Sequence, residues 1–375
     1  MTQLREMPGI GDDVPEPADP AANGEAPPPR PPPVARPLST LLRPTRNDTQ
    51  ELLRNRYLCR GAGLLLCGPT GIGKSSLTLQ CAILWAIGKP AFGMVPTGPL
   101  RSLIIQAEND DGDLAEMRDG IIAGLNLSPE DAKRATDSII VVREDTRTGY
   151  KFFCEVVRPL LAEHKPDLLF IDPALAYLGG EANTQRDVGG FLRNLLNPFL
   201  HEFNCGALVI HHTNKPPKGK EKPDWQAGDF AYLGAGSAEW ANWARAVLAV
   251  RSIGSHSIFQ LQAAKRGGRI GWKEADGQTA YVRYVAHAKD SGTIYWREVN
   301  PDEVETGGRP KSYDREEIFN LLPDEGLLPV EWEKAAMSEC GVSRATFHRE
   351  RLAFVKAGRV LKERTSRNYK PVRKG

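Results

Sequence analysis

An eight-residue segment, Gly68 to Ser75, constrains the fold of this chain more than any other feature. It fits the pattern G-x-x-x-x-G-K-[ST], in which glycines let backbone N–H groups turn inward around phosphate oxygens. The apolar run Gly63 to Cys67 precedes it and predicts a buried strand, and Ser75 to Ala86 has the spacing of a helix. Strand, glycine loop and helix in this order predict a phosphate-binding loop at a helix N-terminus.

Each residue type in this loop has a chemical role. Lys74 carries a positive charge that can reach the β- and γ-phosphates of a nucleoside triphosphate, and the Ser75 hydroxyl is a ligand for Mg²⁺. We therefore predict ATP and Mg²⁺ as ligands. The predicted nucleotide contacts are Gly68, Thr70, Gly71, Gly73, Lys74, Ser75 and Ser76.

The following 200 or so residues alternate between strand and helix patterns. The strand patterns at Leu103 to Gln106, Ile139 to Val142, Asp167 to Asp172 and Ala207 to His212 are continuous apolar runs, as in parallel strands covered on both faces. From about 246 to 299 the apolar residues alternate, which indicates antiparallel strands at one edge of the sheet. The predicted fold class is α/β, with a mainly parallel sheet and antiparallel edge strands.

Composition divides the chain into three predicted domains. Residues 1–37 contain eleven prolines, which predicts a disordered or polyproline II tail. Residues 38–306 hold the α/β pattern, and residues 307–375 form the third domain, which begins within a linker pattern at 306–310. No apolar run approaches the roughly 18 residues of a membrane span. The N-terminus also has no apolar core of a secretory signal, and the six cysteines lack C-x-x-C spacing, so we expect a cytoplasmic protein without a membrane partner.

Two acidic residues follow apolar strands at the edge where the phosphate loop is expected. Asp172 ends the run that begins at Leu168, in the position of a Walker B carboxylate that holds the Mg²⁺ shell. Glu108 is the first acid after the run that ends at Gln106, where a carboxylate can polarise the water that attacks the γ-phosphate. The alternative for the acids of this turn is that they cap the next helix.

Two adjacent histidines end a later strand pattern. Neighbouring residues on a strand point to opposite faces, so His211 and His212 do not easily bind one metal ion. Open α/β sheets bind ligands at the carboxyl ends of their strands. We therefore predict that His212 senses the γ-phosphate or its water, and the alternative is a strand-end histidine bonded to backbone.

The combination of these motifs resembles a known family. Gly68 to Ser75, Gln106 to Asp111, Ile171 to Pro173 and His211 to Lys215 have the order and spacing of the RepA-like branch of RecA-type P-loop ATPases. That branch includes hexameric replicative helicases of plasmids, and the resemblance covers about Leu38 to Val304. It implies phosphate and Mg²⁺ binding by Lys74 and Ser75, with Asp172 as the Walker B acid, Glu108 as the catalytic glutamate and His212 as the sensor.

The same resemblance implies a homo-oligomeric ring, expected to be a hexamer, in which a neighbouring subunit supplies an arginine. Such an arginine stabilises the charge that spreads over the transferring phosphoryl oxygens. The segment Gly236 to Arg245 is similar to the family segment that carries it, so Arg245 is the first candidate. Lys265 and Arg266 are the second, and a surface ion pair is the alternative for each.

Basic residues indicate DNA as a partner. Four lysines fall within residues 215–223, directly after the sensor strand, and suit contacts to the phosphates of a single strand in the ring channel. The alternative is a plain charged loop. The predicted contacts here are Lys215, Lys218 and Lys220.

The last 35 residues carry a net charge of +9, whereas the preceding 340 carry −7. Three helix patterns, at 313–322, 330–339 and 343–357, and two extended segments, at 358–363 and 368–370, resemble a winged helix-turn-helix. We predict Phe347, Leu352, Phe354 and Val355 in its core and Arg344, His348, Arg349 and Arg351 facing outward. The alternative role is protein contact or ring assembly. The predicted contacts to duplex DNA are Arg344, Arg349, Arg351, Lys362 and Arg364.

These patterns together predict an ATP-hydrolysing, ring-forming DNA motor, similar to replicative helicases of a plasmid, phage or other mobile element. A recombination or repair ATPase without unwinding activity is one alternative. The other is an ATP-switched DNA-binding regulator, which the basic C-terminus favours.

Overall fold

The computed structural model describes residues 35–213, 229–232, 234, 236–253, 257–274, 276–288, 292–299, 313–356, 358–363 and 368–372. The chain divides into two compact units, Met1–Asp48 and Thr49–Gly375. In the first, the described residues include a short 3₁₀ helix, Leu38–Thr40. Most of the proline-rich tail, the linker at 306–310 and the lysine-rich loop lie outside the described residues. The three predicted domain boundaries stay predictions.

Strands and helices alternate along most of the second unit. The strands are β1 (Glu51–Leu53), β2 (Leu58–Cys59), β3 (Gly63–Gly68), β4 (Ser102–Gln106), β5 (Ile139–Arg143), β6 (Leu168–Asp172), β7 (Gly206–His212), β8 (Ala246–Ser252), β9 (Ile258–Lys265), β10 (Val282–His287), β11 (Trp296–Val299), β12 (Val360–Lys362) and β13 (Tyr369–Pro371). The helices are α1 (Lys74–Ala86), α2 (Asp111–Gly124), α3 (Pro129–Asp137), α4 (Gly149–Lys151), α5 (Arg158–His164), α6 (Gln185–Gly189), α7 (Asn197–Glu202), α8 (Glu239–Trp243), α9 (Arg315–Asn320), α10 (Pro329–Glu339) and α11 (Arg344–Lys356).

Two of the long helical segments contain a π-helical stretch. Phe152–Val157 joins α4 to α5, and Gly190–Leu196 joins α6 to α7. Each segment is therefore continuous but locally wider than an α-helix. Within the part of the chain that the structure describes, no helix is long and apolar enough to cross a membrane.

One large sheet organises the second unit. Among the described residues it has nine strands, in the order β11-β10-β9-β8-β3-β7-β6-β4-β5. The neighbours from β8 to β5 are parallel, and β8 to β11 pair antiparallel. The predicted fold class is confirmed: an α/β fold with a mainly parallel sheet and antiparallel edge strands, as in a RecA-like P-loop core.

Two hydrophobic layers cover the two faces of this sheet. Along β3, Leu64 and Leu66 pack into the layer that contains α1, whereas Leu65 and Cys67 pack into the layer that contains α5 to α7. Successive residues of a strand point to opposite faces. Each central strand must therefore be apolar at every position, which explains the continuous runs in the sequence.

The hairpin of β1 and β2 and the helix α3 are absent from the sequence-based prediction. The hairpin turns at Asn55 and Arg56, with φ of 61° and 54°. Such left-handed pairs usually carry Asn-Gly, so Arg at the second position weakens the signal. The signal for α3 is present, because Ser128 caps it and Pro129 takes its first position.

The last three helices and the strand pair β12–β13 share a separate hydrophobic core. The ring of Trp332 lies at its centre and contacts Phe347, Phe354 and Tyr369. Ser343 Oγ accepts the backbone N–H of Thr346 at 3.2 Å, as expected of a helix cap. The assignment to a winged helix stays a prediction.

Two predictions for α11 are wrong. Leu352 and Val355, expected in the core, are 65% and 40% exposed. At about 100° per residue, Phe347 and Phe354 lie on one face of the helix, whereas Leu352 is rotated by about 140° from Phe347. Arg351, expected to face outward, instead lies over the rings of Phe347 and Tyr369, at 5.7 and 5.2 Å from their centroids.

Candidate active site

The carboxyl ends of parallel strands bring the predicted catalytic residues to one edge of the sheet. Glu108 follows β4, Asp172 ends β6 and His212 ends β7. In the strand register Asp172 lies opposite Gln106, and His212 lies opposite Gly68 at the start of the phosphate loop. The loop and these three residues line one pocket of about 550 Å³.

Lys74 lies inside the phosphate loop and is 5% exposed. Its Nζ donates to the carbonyl oxygens of Gly68 and Pro69, at 3.0 and 2.7 Å. Burial lowers the pKa of Lys74, and the charges of Asp172 and Glu108 oppose this shift. The ammonium is thus held by loop carbonyls and faces the pocket in which an anion can compensate for its lost hydration.

Two glycines give the loop its shape. Gly71 has φ of 78° and Gly73 has φ of 85°, a left-handed conformation that favours glycine. A Cβ at Gly71 would contact nothing within 4 Å, so the loop is open there. At Gly73 a Cβ would lie 3.1 Å from Trp296 Cζ2. Both the packing and the backbone conformation therefore disfavour a side chain at this position.

Ser75 and Asp172 form the predicted Mg²⁺ pair. The Ser75 side chain interacts with the Asp172 carboxyl, which is 6% exposed. Burial raises the pKa of Asp172 to about 6, the Glu108 charge adds to this shift, and Ser75 and Lys74 oppose it. A hydroxyl and a buried carboxylate side by side are oxygen donors of the kind that Mg²⁺ prefers.

His212 lies between the loop lysine and the predicted catalytic glutamate. Its Nδ1 is 3.1 Å from Lys74 Nζ and 3.3 Å from Thr70 Oγ1. An ammonium only donates, so Nδ1 accepts and a neutral ring carries its proton on Nε2. Nε2 is 3.8 Å from Glu108 Oε1. Burial and the Lys74 charge lower the pKa of His212, Glu108 opposes this shift, and the net direction favours the neutral ring. His211 faces the other side and stacks on Trp240.

The acidic turn after β4 contains carboxylates that cap a helix and one carboxylate that lines the pocket. Asp110 Oδ1 accepts the N–H of Asp113, and Asp113 Oδ2 accepts the N–H of Asp110, which makes a reciprocal cap for α2. The capping alternative is therefore correct for these two residues. Glu108 lies outside the cap, is 58% exposed and lines the pocket.

The structure adds residues that no motif contained. His287 at the end of β10, Trp296 at the start of β11 and the intervening residues Thr293 to Tyr295 line the same pocket. Trp296 Nε1 donates to Ser76 Oγ at 2.9 Å, and Ser76 Oγ donates to Gly73 O at 2.9 Å. The alternating pattern of this region predicts strands but not their place beside the phosphate loop.

The candidates for a trans arginine lie at the opposite edge of the sheet. Arg245 precedes β8, and its N–H donates to Gly63 O at the amino end of β3. Lys265 Nζ donates to Ala241 O and Ala244 O at 2.8 and 2.6 Å, so this lysine caps the end of α8.

Arg266 lies near Arg245 at this edge. Burial lowers the pKa of Arg266, and the positive charges of Arg245 and Arg269 act in the same direction. The backbone of Arg266 is left-handed, with φ of 58°. The amino edge of the sheet therefore carries a concentration of arginines that a bound anion would stabilise.

The predicted DNA contacts on α11 have neighbours within the C-terminal core. Arg344 Nε lies 3.0 Å from Glu333 Oε1, and Arg349 Nη2 donates to Tyr313 Oη at 3.1 Å. Arg344 and Arg349 remain 74% and 67% exposed. Lys362 is exposed on β12. Lys215, Lys218, Lys220 and Arg364 lie outside the described residues.

A family model described as an AAA domain matches residues 28–218, just over half of the chain. The chain belongs to this AAA domain family. The AAA domain contains the phosphate loop, Glu108, Asp172 and His212. With the phosphate loop and the sheet described above, it is a P-loop ATPase domain. The match ends before Arg245 and the C-terminal helices.

No curated protein matches the sequence significantly. Among solved structures, the crystal structure of the RadB recombinase resembles the chain at 12% sequence identity, with a TM-score of 0.40. The similarity covers 64% of this chain and 92% of that chain.

The residues of the AAA domain fit a Mg²⁺-nucleotide. The open backbone at Gly71 leaves room for phosphate oxygens, and the buried Lys74 ammonium supplies the opposite charge. Ser75 and Asp172 supply oxygen ligands. Ser76 would contribute only its backbone N–H at the start of α1, since its hydroxyl is occupied by Gly73 and Trp296.

Proposed function

We propose that this protein is a DNA motor of the RepA-like type, which hydrolyses ATP at the subunit interfaces of a homo-oligomeric ring. The observation that carries the proposal is the row of Lys74, His212 and Glu108 beside the pair Ser75 and Asp172, all at the carboxyl edge of one sheet. A cation, a neutral imidazole and an exposed carboxylate that lie side by side are suited to phosphoryl transfer to water.

Each side chain has a separate task in the proposed reaction. Lys74 and the loop N–H groups bind the phosphates, and Ser75 with Asp172 would hold Mg²⁺, which supplies positive charge to the phosphate oxygens when bound. The Glu108 carboxylate accepts the proton of the attacking water. His212 connects the two sides, because its Nδ1 contacts Lys74 and its Nε2–H faces Glu108.

The second half of the site is proposed to come from a neighbouring copy. A strand rises by about 3.3 Å per residue, so the two ends of the six-residue β3 lie about 17 Å apart. Arg245 and Arg266 lie at the amino end and the phosphate loop at the carboxyl end. One copy therefore cannot supply both parts, and a head-to-tail neighbour can. Because Lys265 caps α8, Arg245 and Arg266 are the better candidates.

The proposed DNA partner is supported by charge. The last 35 residues carry a net +9, and Arg344 and Arg349 remain exposed on α11. We propose that this part contacts duplex DNA and that the ring encloses a single strand. The same charge favours the second candidate function, an ATP-switched DNA-binding regulator.

The experiment compares ATP hydrolysis with and without single-stranded DNA, together with strand displacement, for the wild type, Lys74→Ala and Glu108→Gln. We expect DNA-stimulated hydrolysis and displacement in the wild type and no ATP binding in Lys74→Ala. In Glu108→Gln we expect ATP binding with kcat lowered at least about 100-fold. Stimulated hydrolysis without displacement would favour the regulator or a recombination or repair ATPase. Absence of hydrolysis, with no effect of Glu108→Gln, would contradict the motor.

A further inference from the structure

The phosphate loop is held from the outer edge of the sheet by an indole. Trp296 is 1% exposed, and its Nε1–H donates to Ser76 Oγ at 2.9 Å. The same hydroxyl donates to the carbonyl of Gly73, the last glycine of the loop. One hydroxyl therefore connects the strand β11 to the loop backbone.

A second anchor lies one turn further along α1. Gln80 Nε2 donates to the carbonyl of Trp296 at 2.7 Å, and the N–H of Trp296 donates to Gln80 Oε1 at 2.9 Å. Ser76 and Gln80 are four residues apart and share one face of the helix. Both are buried, at 5% and 2% exposure, so loss of either bond leaves polar atoms without water.

His287 completes this arrangement from the neighbouring strand. It lies opposite Trp296 in the β10–β11 ladder, and its ring meets the indole edge-on at 4.4 Å. Its Nε2 is 3.3 Å from the carbonyl oxygen of Ile72 in the loop. A Cβ at Gly73 would lie 3.1 Å from the indole and 3.3 Å from the imidazole. The two rings thus fill the space behind the loop.

We propose that Trp296 is a positioning residue that holds the phosphate loop in its nucleotide-binding shape before the nucleotide arrives. This inference rests on the proposed function, because it assumes that the loop binds ATP. A preformed loop avoids the free-energy cost of ordering the loop when ATP binds. The contribution of Trp296 therefore appears in the affinity for ATP, while the groups that act in hydrolysis are unchanged.

The test removes the indole N–H donor of Trp296 and keeps an aromatic ring at this position. In Trp296→Phe we expect the Kd and the KM for ATP to rise about tenfold, with kcat little changed; tenfold corresponds to about 1.4 kcal/mol. Ser76→Ala removes the acceptor of the same bond, so the double variant should bind ATP no more weakly than the weaker single variant. Ser76→Ala is the smaller change and gives the same comparison if Trp296→Phe does not fold.

Trp272 provides a matched control. It is also fully buried, and its Nε1 donates to the carbonyl of Phe92 at 2.8 Å, but it does not line the pocket. Trp272→Phe loses an equivalent bond, so both variants should melt at a lower temperature. Only Trp296→Phe should lose affinity for ATP.

Binding is measured by calorimetry in the full-length protein, which separates it from hydrolysis. Equal Kd values for Trp296→Phe and Trp272→Phe would overturn the inference, as would additive losses in the Ser76 and Trp296 double variant. A wild-type protein that binds no ATP would overturn the proposed function and this inference with it.

Discussion

Among the residues of the site, Asp172 carries a buried charge that is costly to the fold. Burial is the main cause that raises the pKa of its carboxyl to about 6, and the Glu108 charge acts in the same direction. The carboxyl of an unfolded chain has a pKa of about 3.9. The folded protein thus binds this proton more tightly, so the contribution to stability is full below about pH 4 and is lost as the pH rises through about 6.

Asp172→Asn should stabilise the nucleotide-free protein at pH 8, because it removes the buried charge. A shift of about two pKa units sets an upper limit of about 3 kcal/mol. At pH 3 the wild-type carboxyl is protonated in both states, so the two proteins should unfold at similar urea concentrations. Urea titrations at both pH values without Mg²⁺ measure this. A variant less stable than wild type at pH 8 would contradict the conclusion that the buried charge of Asp172 lowers the stability of the fold.

The same substitution should abolish turnover. Asn keeps the shape of the side chain but lacks the negative charge with which Asp172 would hold Mg²⁺. A protein that is more stable and inactive is the expected result. This combination separates a functional carboxylate from one that the fold needs.

At the scale of elements, the sheet could be predicted and its connection to the phosphate loop could not. The central strands can be recognised in the sequence as continuous apolar runs, because residues such as Leu64 to Cys67 are buried on both faces of the sheet. The contacts of Trp296 with Ser76 and of His287 with Ile72 join residues 220 and 215 positions apart. Nothing local in the sequence encodes such a pairing. The β1–β2 hairpin is missed for the different reason that its turn lacks the usual glycine.

The helix α11 carries two kinds of arginine, one that packs over aromatic rings and one that is exposed. Arg351→Ala should lower the melting temperature, since the guanidinium over Phe347 and Tyr369 contributes about 1 kcal/mol. Arg344→Ala should leave melting unchanged, because an exposed ion pair contributes little. In contrast, Arg344→Ala should weaken DNA binding and reduce its salt dependence. Melting curves and a salt titration of DNA affinity test both. Equal losses of stability would contradict the distinction.

At the scale of the molecule, the proposed active site is divided between two edges of one sheet. The phosphate loop lies at the carboxyl edge, and Arg245 and Arg266 lie at the amino edge. A copy with Lys74→Ala keeps its arginines, and a copy with Arg245→Ala and Arg266→Ala keeps its loop.

Mixing these two defective proteins should restore ATP hydrolysis. A mixed interface is complete when the arginine variant supplies the loop and the Lys74→Ala copy supplies the arginines, whereas neither protein alone contains such an interface. In an equimolar mixture about a quarter of the interfaces should be complete if copies join at random in closed, head-to-tail rings. Rates measured against the mixing ratio check this. A mixture as inactive as its components would contradict a shared site.

The separation of loop and arginines also gives every copy a front and a back. Copies that join front to back all face the same way, so the assembly as a whole has a direction. In a closed ring this direction runs around the circle, so each proposed site joins one copy to the neighbour on the same side, and the two ends of the strands define the order of the sites.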